Sequence, residues 1–230
     1  MSLWPLPESD EHRDTNHCEL PAMSVDWDEL YARDGYAYGT EPNGFVASVA
    51  TMMQSGPTLC LGAGEGRNAV YLASLGFDVL AIDASAVGLA KAERLAREQS
   101  VRLKTECADL ASFDMGEACF QNIVSVFLHV PSRLRRRIHA NVVRALRPGG
   151  LFLLEAFRPE QLEQKSGGPE QLDVLMSRAS VQAELTGLEM IRVGRVIRRL
   201  NEGSCHNGLA AVLEVIARKP HVHQPRGAVH

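Results

Sequence analysis

Long apolar runs are missing from this 230-residue sequence: no stretch reaches the roughly 18 apolar residues that a bilayer-spanning helix needs. No membrane partner is expected. Closely spaced cysteines are missing too. The five present, Cys18, Cys60, Cys107, Cys119 and Cys205, are odd in number and scattered, which suits neither a disulfide framework nor a zinc site, so no metal is expected. Reduced thiols in a cytoplasmic protein are the simplest reading. Excess positive charge is absent as well. The formal net charge is −4, which argues against a chain built to neutralise phosphates and leaves no nucleic-acid partner expected. Arg133, Arg135, Arg136 and Arg137 form a local basic cluster, read as a solvated helix face. The opening MSLWPLPESDEHRD carries acids and prolines where a signal peptide needs a positive segment and an apolar run.

What is present is ordinary globular composition, 45% apolar and 23% charged. The length suits one α/β domain. Residues 1–23 mix Pro, Asp, Glu, His and Asn without period and read as a flexible leader; 24–219 read as the domain, with 24–43 as an N-terminal lid; 220–230 read as a tail. A short helix is expected near Ser24, with Asp26 and Asp28 in its first turn. Then strands at 57–61, 77–82, 102–107, 120–128 and 151–156 alternate with helices from about 44 and at 67–74, 86–98 and 132–146. That alternation means a parallel sheet with helices on both faces. Arg147-Pro148-Gly149-Gly150 reads as a helix stop and turn. After a helix over 169–185, strands at 188–200 and 209–219 flank the polar NEGSCHNG turn and should pair antiparallel.

The run LCLGAGEGRNAVYLA, residues 59–73, carries the chemistry. A buried strand breaks into Gly62, Gly64 and Gly66 and restarts as a helix, so backbone can lie against a ligand that a side chain would hold off. Asp83 closes the next strand, VLAID, about 20 residues beyond the loop, where an acid accepts both hydroxyls of a ribose. Gly64, Gly66 and Ala69 also satisfy the G-x-G-x-x-A form used for dinucleotides. Charge weighs against a dinucleotide: Glu65 sits inside the loop, and Asp83 and Asp109 add acids at strand ends, which disfavours a pyrophosphate. S-adenosylmethionine, with adenosine, a sulfonium and an amino acid tail, fits the acids: the glycine loop against the methionyl part, Asp83 on the ribose, Asp109 on the adenine amino group.

With those motifs in view, the sequence resembles the class I S-adenosylmethionine-dependent methyltransferases. The blocks DWDELYARDGYAYGTEPNGFV, GEGRNAVYLA and FLHVPSRLR are similar to the tellurite resistance TehB-like group. The resemblance implies a Rossmann-like, seven-stranded, mostly parallel sheet with a C-terminal antiparallel hairpin and helices on both faces. It also implies release of S-adenosylhomocysteine, and a cofactor set of Gly62, Ala63, Gly64, Glu65, Gly66, Asn68, Asp83, Ala84, Asp109, Leu110, Phe127 and Tyr31. Two departures stand out: Cys60 holds a place where most class I enzymes have an acid, and Gln121-Asn122 stands where the fourth strand often opens with aspartate.

Methyl transfer is an in-line displacement at an activated carbon, so alignment and exclusion of water matter more than a catalytic triad. His129, after the fourth strand, is the candidate base or substrate-orienting residue, with capping of the next helix as the competing role. Tyr38 is the second catalytic candidate, offering its π-face to the sulfonium, against simple packing. Trp27, Tyr38, Arg158 and His206 are the candidate substrate contacts; helix stapling, an ion pair and turn packing are the structural alternatives for Trp27, Arg158 and His206. The expected partner is a small-molecule methyl acceptor, with a thiol or chalcogen compound in a detoxifying role as the expected class. The rivals are an NAD-dependent oxidoreductase, a nucleic-acid methyltransferase and a non-catalytic cofactor sensor.

Overall fold

Strand β1 (Pro57–Leu61) is buried on both faces, as a central parallel strand must be, and its neighbours are β2 (Asp78–Asp83) and β4 (Phe120–Val126). The computed structural model describes residues 26–164 and 167–221; the expected leader and most of the expected tail lie outside them. Beyond β2 lies β3 (Lys104–Cys107), and beyond β4 lie β5 (Leu146–Phe157), β7 (His206–Arg218) and β6 (Glu189–Glu202), giving the order β3-β2-β1-β4-β5-β7-β6. The first five strands run parallel, and β7 is antiparallel to both β5 and β6. The chain reverses winding direction beside β1. In an open α/β sheet that switch point opens a crevice at the carboxyl ends of the strands.

Helices cover both faces. On one face α2 (Gly44–Val49), α3 (Arg67–Ser74) and α4 (Ala86–Glu98) bury Phe45, Val46, Leu72 and Leu89 against β1 and β2. On the other, α5 (Ser132–Ala145) and α6 (Arg178–Glu184) bury Ile138, Val142, Val181 and Leu185 against Phe152, Leu154 and Val215. Local signals set the boundaries. Ser85 caps α4 by accepting the Gly88 N–H at 2.9 Å, and Ser177 opens α6 with a capping box to Ser180. The first helix, α1, spans only Trp27–Tyr31, with Asp26 as its cap, outside its first turn.

Three expectations needed correction. The RPGG segment lies inside β5, where Gly149 takes φ +80° and the ladder with β4 shifts register between Phe120 and Asn122; the helix therefore ends at Ala145. The expected helix over 169–185 is two pieces, a 3-10 turn at Leu172–Val174 and α6, because residues 167–171 run irregularly past the sheet end. The NEGSCHNG turn is mostly strand: β6 runs to Glu202 and β7 starts at His206, leaving a three-residue loop.

The basic cluster on α5 divides. Arg133, Arg136 and Arg137 are exposed, but Arg135 is buried and clamps Glu184 of α6 through Nε at 3.0 Å and Nη2 at 2.9 Å, while its Nη1 donates to the Asp173 carbonyl. His139 adds Nδ1 at 2.8 Å from the same carboxylate. Removing one member strands the others without solvent, which costs about 3–5 kcal/mol in a buried pair. Glu184→Ala should therefore lower unfolding free energy by that amount in urea titration, whereas Arg136→Ala on the exposed face should change it by less than about 0.5 kcal/mol.

Candidate functional site

The crevice holds a cavity of about 610 Å³. Its floor is the glycine loop after β1, in which Gly62, Gly64 and Gly66 take φ values of +59°, +52° and +88°. Two of them are required by close packing as well. A Cβ on Gly64 would stand 2.6 Å from the Tyr31 hydroxyl oxygen, and one on Gly66 would stand 2.4 Å from the Ala92 Cβ. Ala63 and Asn68 complete the floor. Tyr31 is buried, stacks on Trp27 at 5.7 Å between ring centroids, and shuts that end of the loop, with its phenol pushed up by burial.

Asp83 ends β2 at the cavity wall, beside Ala84. Its Oδ2 accepts the Gly64 N–H at 2.7 Å and its Oδ1 accepts the Ser85 N–H at 2.8 Å. Burial raises its carboxyl above the ordinary range, against the pull of those N–H groups. Each oxygen keeps acceptor capacity for a hydroxyl donor. Past β3, Asp109 and Leu110 line the same side; Asp109 is exposed and its Oδ1 accepts the Ala111 N–H at 2.8 Å.

Glu65 corrects part of the charge argument. Its Oε1 meets the Lys91 ammonium at 2.9 Å and its Oε2 accepts the Ala37 N–H at 2.7 Å. The loop acid is neutralised and serves as an anchor for the segment before α2, so Asp83 and Asp109 carry the case against a phosphate. Arg67 is the sole Lys or Arg lining the cavity among the described residues, and it is held by Glu202 at 2.7 Å. Among the described residues no unpaired Lys or Arg is left on the wall to meet a pyrophosphate.

Opposite the glycine loop the wall is apolar and aromatic. Phe127, just beyond β4, takes φ +53°, a backbone conformation that costs a bulky residue about 1–3 kcal/mol and marks functional sites. Its ring stacks on Phe157 at 4.6 Å and meets the edge of His206 at 4.7 Å. Leu128, Val130, Leu134 and Val174 extend this surface, and Gly168 to Gln171 pass along its rim. Tyr38 faces His206 at 4.6 Å.

His129 lines the cavity, yet the structure removes it as the base. Its Nε2 lone pair already accepts the Phe157 backbone N–H at 3.1 Å. Apolar surroundings, then His206, push it down to about 3. It is a neutral acceptor that ties β5 to the segment after β4. Arg158 is also corrected: it is absent from the cavity wall and pairs with Glu160 at 3.2 Å. Trp27, Tyr38 and His206 do line the cavity, and His206 stands on β7 rather than in a turn.

Sequence reading missed the network that closes the site. Glu155 of β5 is fully buried and bidentate to Arg198, with Nε at 3.0 Å and Nη2 at 2.8 Å. The Asn43 amide donates to Glu155 and, at 3.2 Å, to Glu202. Arg198 reaches Glu202 at 3.1 Å, and Arg67 donates to Glu202 and to the Tyr38 carbonyl. The segment 37–43 is thereby stitched to the loop, where Asn68 accepts the Asn43 N–H at 2.8 Å, and to the hairpin tip, where the Cys205 N–H donates to the Ala37 carbonyl at 3.2 Å. The sole available signal was Asn43 before an apolar helix, a cap pattern.

Residues 58–150 match the family model of the methyltransferase domain. The chain has the class I methyltransferase fold. A curated relative, the 2-heptyl-1-hydroxyquinolin-4(1H)-one methyltransferase of Mycobacteroides abscessus, is 26% identical over 145 residues, 62% of this chain and 64% of that protein. The chain thus matches just under two thirds of that relative's length. Among solved structures, TehB from Haemophilus influenzae superposes with a TM-score of 0.64 at 20% identity, covering 77% of this chain and 62% of that one. An S-adenosylmethionine-dependent methyltransferase from Methanosarcina mazei gives 0.61 at 19%, covering 79% and 99%. Both likenesses show the class I fold.

Glu202 ties the stability of this site to pH. Burial raises it, but His206, Arg67 and Arg198 outweigh burial and hold it at about 2. A carboxylate depressed below its unfolded value of 4.5 contributes stability that is complete above that value and is lost as pH falls through about 2. The contribution is about 3 kcal/mol. Urea titrations at pH 7 and pH 3 should show wild type losing much of its margin over Glu202→Gln at the lower pH; an unchanged margin would remove Glu202 as a stabilising anion.

Proposed function

We propose that this protein transfers the methyl group of S-adenosylmethionine to a small apolar acceptor and releases S-adenosylhomocysteine. The observation that carries this reading is Asp83, a buried carboxylate on the cavity wall with one backbone N–H on each oxygen, in a cavity whose sole Lys or Arg among the described residues is already paired. A carboxylate acceptor suits ribose hydroxyls, and two acids with no unpaired cation on the wall favour a nucleoside carrying a positive sulfonium over one carrying a pyrophosphate. In this reading Asp109, on the same wall, takes the adenine amino group. The glycine loop then lies along the methionyl part, and Tyr31, Asn68 and Phe127 bound the bound donor.

The acceptor side supports a weakly polar nucleophile. Phe127, Phe157, Leu128 and Val174 exclude water, which favours displacement at the sulfonium carbon. A thiol or other chalcogen compound presenting a single S–H or O–H fits this wall. A tellurite-like oxyanion would need a cation, and Arg67 is committed to Glu202. The substrate named for the mycobacterial relative, an apolar heteroaromatic with one hydroxyl, belongs to the same class. No helix among the described residues is long and apolar enough to cross a membrane, and the free cysteines Cys60, Cys107 and Cys119 suit a reducing, cytoplasmic setting.

Calorimetric titration tests this directly. S-adenosylmethionine should bind wild type, NADH should not, and Asp83→Asn should weaken S-adenosylmethionine by about 100-fold, the worth of two charge-assisted hydrogen bonds. Tight NADH binding with no response to S-adenosylmethionine would overturn the reading.

A further inference from the structure

One buried titratable group on the cavity wall has no assigned work. His206 opens β7 directly across the ladder from Glu202, its register partner at the end of β6. The three-residue loop between them is pinned, because Gly203 at φ +65° packs so closely under the segment 37–39 that a Cβ would stand 2.4 Å from the Ala37 carbonyl oxygen. This fixes the imidazole. Nδ1 is turned toward the Glu202 carboxylate at 3.6 Å and has no hydrogen-bond partner, while the ring lines the cavity between Tyr38, Phe127 and Phe157. The opposite nitrogen, Nε2, is the one left to the cavity.

We infer that His206, oriented by Glu202, is the proton acceptor for an apolar acceptor molecule bearing one hydroxyl, seated against Phe127 and Phe157. The inference rests on the methyl-transfer reading and assigns within it the role that His129 cannot fill. The Glu202 carboxylate on the Nδ1 side favours the Nδ1–H tautomer, which leaves the Nε2 lone pair bare, and a loose contact of this kind tightens when a ligand closes the site. The acceptor O–H bond breaks with its proton passing to Nε2. The oxygen lone pair forms the bond to the methyl carbon as the carbon–sulfur bond breaks, its electron pair staying on the sulfur of S-adenosylhomocysteine. The imidazolium then returns its proton to water. Charged and titratable groups face His206 from four elements: Glu202 and Arg198 on β6, Arg67 on α3, Tyr38 on the segment before α2, and His129 after β4. Burial and the two arginines outweigh Glu202 and keep the imidazole neutral near pH 7, the form a base needs.

Two measurements on the full chain test this. Imidazole 15N spectra of wild type should show His206 protonated on Nδ1 with bare Nε2; the Nε2–H tautomer would overturn it. S-adenosylhomocysteine formation is then followed with two probes, 4-nitrothiophenol, which is ionised at neutral pH, and 4-methylphenol, whose hydroxyl titrates near 10 like that of tyrosine. His206→Gln should lose about 10²- to 10⁴-fold more on the phenol than on the thiol, the usual worth of a general base. Glu202→Gln should show the same selectivity at smaller size. Equal losses on both probes, an undiminished phenol rate, or no turnover of either probe by wild type would overturn the assignment. Calorimetric binding of S-adenosylmethionine separates the two claims: intact binding with any of these results sinks His206 alone, while absent binding sinks the methyl-transfer reading.

Discussion

Two buried carboxylates, Glu155 and Glu202, are the constraint on which this site depends. Neither can ionise in the protein interior without partners, and the partners come from four separate places: Arg198 on β6, Arg67 at the start of α3, Asn43 before α2, and His206 on β7. Satisfying the two charges therefore brings the hairpin, the glycine-loop helix and the segment 37–43 to one point. The cavity is what remains between them.

The two sides of the cavity differ in character. The ends of β1, β2 and β3 present backbone, Asp83 and Asp109, a surface suited to adenosine. The ends of β4 and β5, together with β7, present rings. Phe127 holds a strained backbone so that its ring stands between the two halves, and strain at such a position persists only where packing over-determines it. Phe157, His129 and His206 supply that packing.

Much of the fold was legible in the sequence because its signals are local. The glycine spacing, the strand ending in Asp83 and the alternation of strands and helices depend on neighbours within a few residues, and the closing hairpin is written as two long strands. The ion network was not legible. Asn43, Arg67, Glu155, Arg198 and Glu202 are far apart in the chain, and each alone reads as an ordinary polar residue. The same limit misassigned Glu65, whose partner Lys91 lies a helix away, and His129, whose lone pair is taken by a backbone N–H of another strand. Arg135 looked solvated because three of its neighbours are; its burial depends on Glu184 of α6. The segment 167–171 failed for a different reason. Pro169 was counted as a helix start, whereas residues 168–171 carry the chain past the cavity rim.

The central claim is that one cavity seats the methyl donor on the β1–β3 side and the acceptor against the rings. A crystal structure with S-adenosylhomocysteine bound tests it most directly. The expected result is a ribose on the Asp83 carboxylate, adenine beside Asp109, and the sulfur directed at Phe127 and His206. A ligand seated elsewhere, or one whose ribose avoids Asp83, contradicts it.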